Sequence, residues 1–255
     1  MKIPVIFFLA LIILPGSLYA QYPYDIELPN LLGNAISSKE TSYSAKNTNE
    51  GLTLTDHAIY NYQYNQELIF NSNNVLTSIN LYDEESELVS NRDLEYDANG
   101  LLRKILFKEN NFVFKVLNYS YNSDNKVSKI EIEPSSNSAH FLINYSQDRI
   151  SSIEMIMPDG SIRQKMTYEY HGGIILKRYL DSNEEITKSE TYTFYNDRLE
   201  EKSIKTSEQD VKIYYKYLND DTGNWIRKLI SIFEYEESDH VNESLFLIDR
   251  EISYN

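Results

Sequence analysis

The chain contains no cysteine, which excludes disulfides, thiolate metal sites and cysteine nucleophiles together. Glycine (8), proline (6), histidine (4) and tryptophan (1) are also scarce among its 255 residues. There is no Gly-rich phosphate loop, no dinucleotide fingerprint and no Gly-x-Ser-x-Gly nucleophile elbow. His57, His140, His171 and His240 are scattered and never fall at zinc-binding spacing, so neither a metal nor another cofactor is expected. Positive charge is in short supply too. With 24 Lys+Arg against 39 Asp+Glu the net charge is -15, which argues against nucleic acid and against an electrostatic hold on anionic membranes.

What is present begins with an address. Met1-Lys2 supplies a positive start, Ile3 to Leu14 is nearly all apolar, and Pro15-Gly16 precedes a small residue, Ala20. This is the pattern of a secretory leader over residues 1–20, cleaved after Ala20. Its removal takes Lys2 away and brings the net charge to -16. No later stretch approaches the roughly 18 apolar residues of a spanning helix. The expectation is therefore an exported protein of the periplasm, cell surface or exterior, with no stable membrane insertion after the leader is removed. Residues 21–33 read as a short lead and 34–255 as one domain.

That domain is a repeat. The pattern apolar-x-aromatic recurs at Leu68/Phe70, Leu94/Tyr96, Tyr119/Tyr121, Ile143/Tyr145, Tyr168/Tyr170, Tyr192/Phe194 and Tyr215/Tyr217. Successive aromatic members are 26, 25, 24, 25, 24 and 23 residues apart. Each is followed by Asn, Asp, Ser or Gly turn chemistry and another apolar run, with a second turn about half a period on. One unit is thus two strands and two tight turns. Period-two alternation, as in Phe112-Phe114-Val116, and the wealth of β-branched and aromatic residues favour strands over helices. The regular repeats run from about 66 to 235. An irregular first hairpin is expected around Asn47 to Gly51, and Leu245 to Tyr254 reads as a closing strand. The expected fold is all-β: an antiparallel meander of about 16–18 strands built from ~24–25-residue hairpins. Twisted sheets of that width curl, so a strongly curved open sheet or partial shell is anticipated.

The unit Tyr96-Asp97-Ala98-Asn99-Gly100-Leu101-Leu102-Arg103-Lys104-Ile105 resembles the tyrosine-aspartate (YD, RHS-type) repeat, and Tyr217 through Arg227 is similar with a longer turn. The resemblance runs loosely over residues 56–255. Among the seven aligned aromatics Asp follows directly only at Asp97, Gly is missing from several turns, and the period is a few residues long for that family. It implies a degenerate, short exported member without the toxin domain of the large shell-forming relatives. Fold, not function, is what it carries.

Tyr119, Tyr121, Tyr168, Tyr170, Tyr192, Tyr215, Tyr217 and Trp225 are the candidate contact residues. They pack the sheet as an aromatic ladder or stand out as a stripe that stacks on sugars or anchors a protein. Asp220-Asp221-Thr222-Gly223-Asn224 has oxygen ligands in a tight turn but lacks the ligand spacing of a calcium loop. No catalytic constellation is legible. The expected function is a non-catalytic binding or scaffold module with an unknown protein or glycan partner. The alternatives are a carbohydrate-binding module on the tyrosine rows and a hydrolase with a carboxylate pair formed by folding.

Overall fold

The structure is a computed structural model that describes residues 31, 35–49, 51–57, 65–133, 139–196, 198–235 and 241–254. The expected leader and the turn at 134–137 lie outside them. The strands are β1 (Ala35–Thr48), β2 (Gly51–His57), β3 (Asn65–Phe70), β4 (Leu76–Tyr82), β5 (Leu88–Tyr96), β6 (Leu102–Glu109), β7 (Phe112–Tyr121), β8 (Val127–Glu133) and β9 (His140–Ser146). They continue with β10 (Arg149–Ile156), β11 (Ile162–His171), β12 (Ile174–Leu180), β13 (Ile186–Tyr195), β14 (Arg198–Thr206), β15 (Asp210–Asn219), β16 (Trp225–Tyr235) and β17 (Val241–Tyr254). From β3 to β17 each strand pairs antiparallel with the next, so the meander of hairpins is as the repeat requires.

Turn chemistry explains the regularity. Asn71, Asp97, Asn122 and Asp220 each close a turn in which the side-chain oxygen accepts backbone N–H groups two and four residues on. Asn performs this task as well as Asp, which is why Asp need not follow the aromatic. The turn needs one left-handed residue: Gly100 at φ 77°, but Asn74 at 59° and Asn125 at 57°. Asn tolerates that conformation, so glycine is dispensable there. The extra residue shifts the register next to each such turn, at Phe70, Tyr96, Tyr121 and Asn219.

The sheet does not stay open, and the expected curved open sheet or partial shell is corrected to a closed barrel. β1 pairs along one edge with β17, from Ala35↔Tyr254 to Ala45↔Leu245. Its other edge is divided: Ser37 to Lys39 face β3, and Tyr43 to Thr48 face β2. A ring of sixteen strands results, with β2 as one extra strand. Closure removes both edges of a sheet too wide to leave them bare. It also corrects the expectation of no stable membrane insertion. That expectation rested on the lack of a spanning helix, and among the described residues no helix is long and apolar enough to cross a membrane. A closed β-barrel is the other architecture able to cross one, and the helix criterion does not reach it.

One carboxylate ties the closing strand to both neighbours. Glu40 Oε1 accepts from Arg250 Nε at 2.9 Å on β17, and its Oε2 accepts from Gln66 Nε2 at 2.9 Å on β3. The Arg250 guanidinium stacks 3.2 Å from the centre of the Trp225 ring. Where β1 passes from β3 to β2, the Ser42 N–H is met by the buried Asn65 side chain at 2.8 Å. Arg250→Ala is expected to cost about 3–5 kcal/mol, because it strands a buried carboxylate. In hydrogen exchange β1 should lose protection before the central hairpins; a β1 that stays protected while they exchange would contradict this account of the seam.

Candidate functional site

Alternation divides the barrel wall into two surfaces. The row Lys39–Glu67–Asn80–Asn91–Lys108, read strand to strand from β1 through β3 to β6, is polar throughout. The adjacent row Ser38–Leu68–Ile79–Arg92–Phe107–Lys115, one residue along, interleaves apolar with polar side chains and is largely buried. Neighbouring side chains crowd together on the concave face of a ring and splay on the convex one, so the buried set lines the inside. The same inner surface holds Ile105, Leu117, Ile130, Ile143, Ile153 and Met166 in one continuous cluster spanning β5 to β14. The candidate site is this inner wall.

All eight candidate contact residues lie on it. Tyr119, Tyr168 and Tyr192 are buried, at 3%, 8% and 3% exposure, which removes them as surfaces for stacking on a sugar. Tyr121, Tyr170, Tyr215, Tyr217 and Trp225 are half-buried, with Tyr217 and Trp225 in ring contact at 6.3 Å. They form no stripe on the outer wall.

The half-buried tyrosines do a specific task. Tyr96, Tyr121, Tyr145 and Tyr170 stand at or one residue before the ends of β5, β7, β9 and β11, and each hydroxyl donates to a carbonyl on the preceding strand: Leu76 (2.7 Å), Leu102 (2.6 Å), Val127 (2.8 Å) and Ile150 (3.2 Å). Each acceptor lies two residues beyond the last residue that its strand pairs with the tyrosine's strand, Ser78, Lys104, Lys129 and Ser152. The stagger of the barrel carries that carbonyl past the ladder between the two strands, and the phenol reaches it there. The reaching ring also crosses the short side chain below it, and Leu102, Val127 and Ile150 are 2%, 0% and 0% exposed. Burial raises the hydroxyl pKa of Tyr96, to about 12, and those of Tyr145 and Tyr170. The neighbouring basic residue covers the ring: Arg103 at 5.2 Å over Tyr121, Lys126 at 5.4 Å over Tyr145 and Arg149 at 5.0 Å over Tyr170.

Charged groups in the inner wall were not singled out by sequence. Glu190, 1% exposed, receives the hydroxyls of Tyr192 (2.6 Å) and Tyr179 (3.0 Å) and pairs with Lys188 (2.6 Å) and Lys202 (3.5 Å). Burial pushes its pKa up, but Lys202, Lys177 and Lys188 outweigh that and hold it well below the carboxylate range. This is the reverse of what a general acid needs. The signal available in the sequence was phase: Arg92, Lys115, Lys177 and Glu190 each stand two residues from an inward aromatic or aliphatic side chain on the same strand. Among the described residues no cluster of His, Asp and Glu fit to hold a metal is found. At Asp220 the carboxylate serves its own turn, accepting from the Thr222 hydroxyl at 2.7 Å and the Tyr254 hydroxyl at 2.7 Å.

Two measurements check this wall. Tyr121→Phe and Tyr145→Phe should each lose about 0.5–1.5 kcal/mol in urea unfolding, the net worth of one buried hydrogen bond; unchanged midpoints would show that the carbonyls are satisfied otherwise. Glu190→Gln leaves three lysines facing one another and should cost about 3 kcal/mol at neutral pH. A depressed carboxyl pKa stabilises the fold fully above the unfolded value of about 4.3 and loses that contribution as pH falls through the folded value. The gap between wild type and variant should therefore narrow only in strong acid; narrowing already near pH 6 would contradict the assignment.

No protein-family model matches the chain, and no curated protein does. Among solved structures, the chain is similar to a porin-like protein from Bacteroides uniformis, at 9% identity and a TM-score of 0.59, over 88% of this chain and 99% of that one. It also aligns with the TcdB2-TccC3-Cdc42 complex, at 13% identity and a TM-score of 0.35, over 82% of this chain and 12% of that one. The first likeness extends to the fold alone, an all-β antiparallel barrel. A β-rich repeat is thus supported, while membership of the tyrosine-aspartate repeat family is not.

Proposed function

We propose that the protein is a non-catalytic barrel of the cell envelope that binds its ligand against the inner wall. The observation that carries this reading is the continuous aromatic and aliphatic cluster of the inner surface from β5 to β14, set against an outer row, Lys39–Glu67–Asn80–Asn91–Lys108, that is polar. Water-filled membrane channels have the opposite arrangement, a polar lumen and an apolar outer band. A ring of sixteen strands is wider than one whose own side chains fill it. Half-buried rings such as Phe141, Tyr145, Tyr170 and Trp225 then offer an apolar contact surface to a guest.

Trp225, the sole tryptophan, lies on that wall and reports on it. The neutral apolar fluorophore N-phenyl-1-naphthylamine should brighten on mixing with the purified protein and quench Trp225 at the same stoichiometry. Brightening without quenching, or no brightening, would sink the reading, as would turnover in a hydrolase screen of glycosides, esters and peptides. Insertion into a membrane is a second reading, favoured by the closed even-numbered ring. An inserted barrel stays with the membrane through a carbonate wash and needs detergent for release, and fractionation of the producing cells decides this independently of the fluorophore.

A further inference from the structure

Seven basic side chains sit in the inner wall or pair with groups there: Arg92, Lys115, Lys177, Lys188, Lys202, Lys228 and Arg250. The buried carboxylates are two, Glu40 and Glu190. This is the reverse of the whole chain, whose net charge is -15. Glu40 answers Arg250, and Glu190 answers Lys188 and Lys202. Arg92 and Lys115 are answered by nothing of opposite sign among the described residues. They are two places apart in the row Ile79–Arg92–Phe107–Lys115, one on either side of Phe107. The guanidinium lies 5.3 Å and the ammonium 4.0 Å from the centre of that ring.

Two further facts mark the pair as unfinished. Arg92 Nε is buried and has no hydrogen-bond partner; Ser38 Oγ, in the same row, is the other buried side-chain atom so left among the described residues. Burial and the nearby Arg92 charge pull the Lys115 pKa down to about 8, and burial pulls that of Arg92 down to about 10. Two like charges held together in an apolar wall are costly unless an anion completes them. Ile79 is paired with Arg92, and Leu117 follows Lys115 two residues on along β7, so the inner surface beside the two charges is aliphatic and suits an anion that carries an alkyl tail.

We infer that Arg92 and Lys115 form the head-group site for an anionic amphiphile, a single carboxylate, sulfate or phosphate on an alkyl chain, held against the inner wall of the barrel. The inference rests on the interior-binding reading above. The guanidinium offers a fork of N–H donors to two anion oxygens, Lys115 adds a point charge, and Phe107 holds both in place.

Titration calorimetry with three probes tests it: dodecanoate, dodecanol of the same chain length, and acetate, which has the head without the tail. Wild type should bind dodecanoate about 10–100-fold more tightly than dodecanol, the range expected of a charge-assisted hydrogen bond, and acetate far more weakly than either. In the Arg92→Gln/Lys115→Gln double variant dodecanoate should fall to the dodecanol level while dodecanol is unaffected. Removing two unanswered buried charges relieves repulsion, so the variant should melt no lower than wild type. Lys104→Gln/Lys108→Gln, on the outer face, controls for net charge and should keep the preference. Equal binding of dodecanoate and dodecanol by wild type, a preference that survives in the double variant, or acetate binding as tightly as dodecanoate each overturns the inference while leaving interior binding in place. Failure of both twelve-carbon probes to bind removes the interior reading and this inference with it.

Discussion

The seam made by β1 is the constraint on which the rest of the molecule depends. Fourteen strands can be added to β3 by local hairpins alone, and the result is a sheet with two bare edges. β1 fills the gap between those edges, pairing with β17 on one side and with β3 on the other. Glu40 sits at the centre of this join, engaged by Arg250 and by Gln66. The net energy of such a buried pair is small, since desolvation offsets much of the attraction. Its value is in specificity: a slip of one residue along β1 would turn Glu40 outward and leave Arg250 facing an apolar wall.

Closure then sets the geometry of the interior. Strands in a barrel are tilted and staggered, so the first residues of β4, β6, β8 and β10 extend past the ladder of the next strand. The repeated tyrosine answers this stagger. Its ring packs in the cluster that holds the apolar side chain at the strand start, its hydroxyl meets the carbonyl there, and an adjacent Arg or Lys caps its face. The period of the repeat is therefore the period of the stagger. Where the later units change the pattern, Arg198 reaches Asn219 and the Gly223 carbonyl, and its guanidinium lies 5.9 Å from the Tyr217 ring.

The inner wall is also where charge is handled most unevenly. Glu190 collects three lysines and two phenols into a satisfied network, as a buried carboxylate must. A few strands away, Arg92 and Lys115 face the same interior with only an aromatic ring between them. Among the described residues one buried charge is thus answered fully, while this pair meets no group of opposite sign, the contrast from which the head-group site is inferred.

Hairpins, turns and the count of strands were legible because their causes are local. Asn, Asp and Gly at turns act on backbone groups within four residues, and alternation is visible in any stretch such as Val116 to Tyr121. The eight aromatic candidates were legible as one inward or outward set for the same reason. Which way that set faced was not, because alternation defines two faces without saying which is concave. Closure was hidden more deeply. The pairing of Glu40 with Arg250 spans 210 residues, and nothing near either one announces the other. The unanswered charges of Arg92 and Lys115 were hidden likewise, since a missing counter-ion is a property of everything that surrounds a site. The amino-acid sequence by itself thus determined the strands, their turns and their repeat. Only the tertiary structure decided that the sheet closes, that its apolar face turns inward, and which charges meet there, because each depends on strands far apart in the chain coming together in one ring.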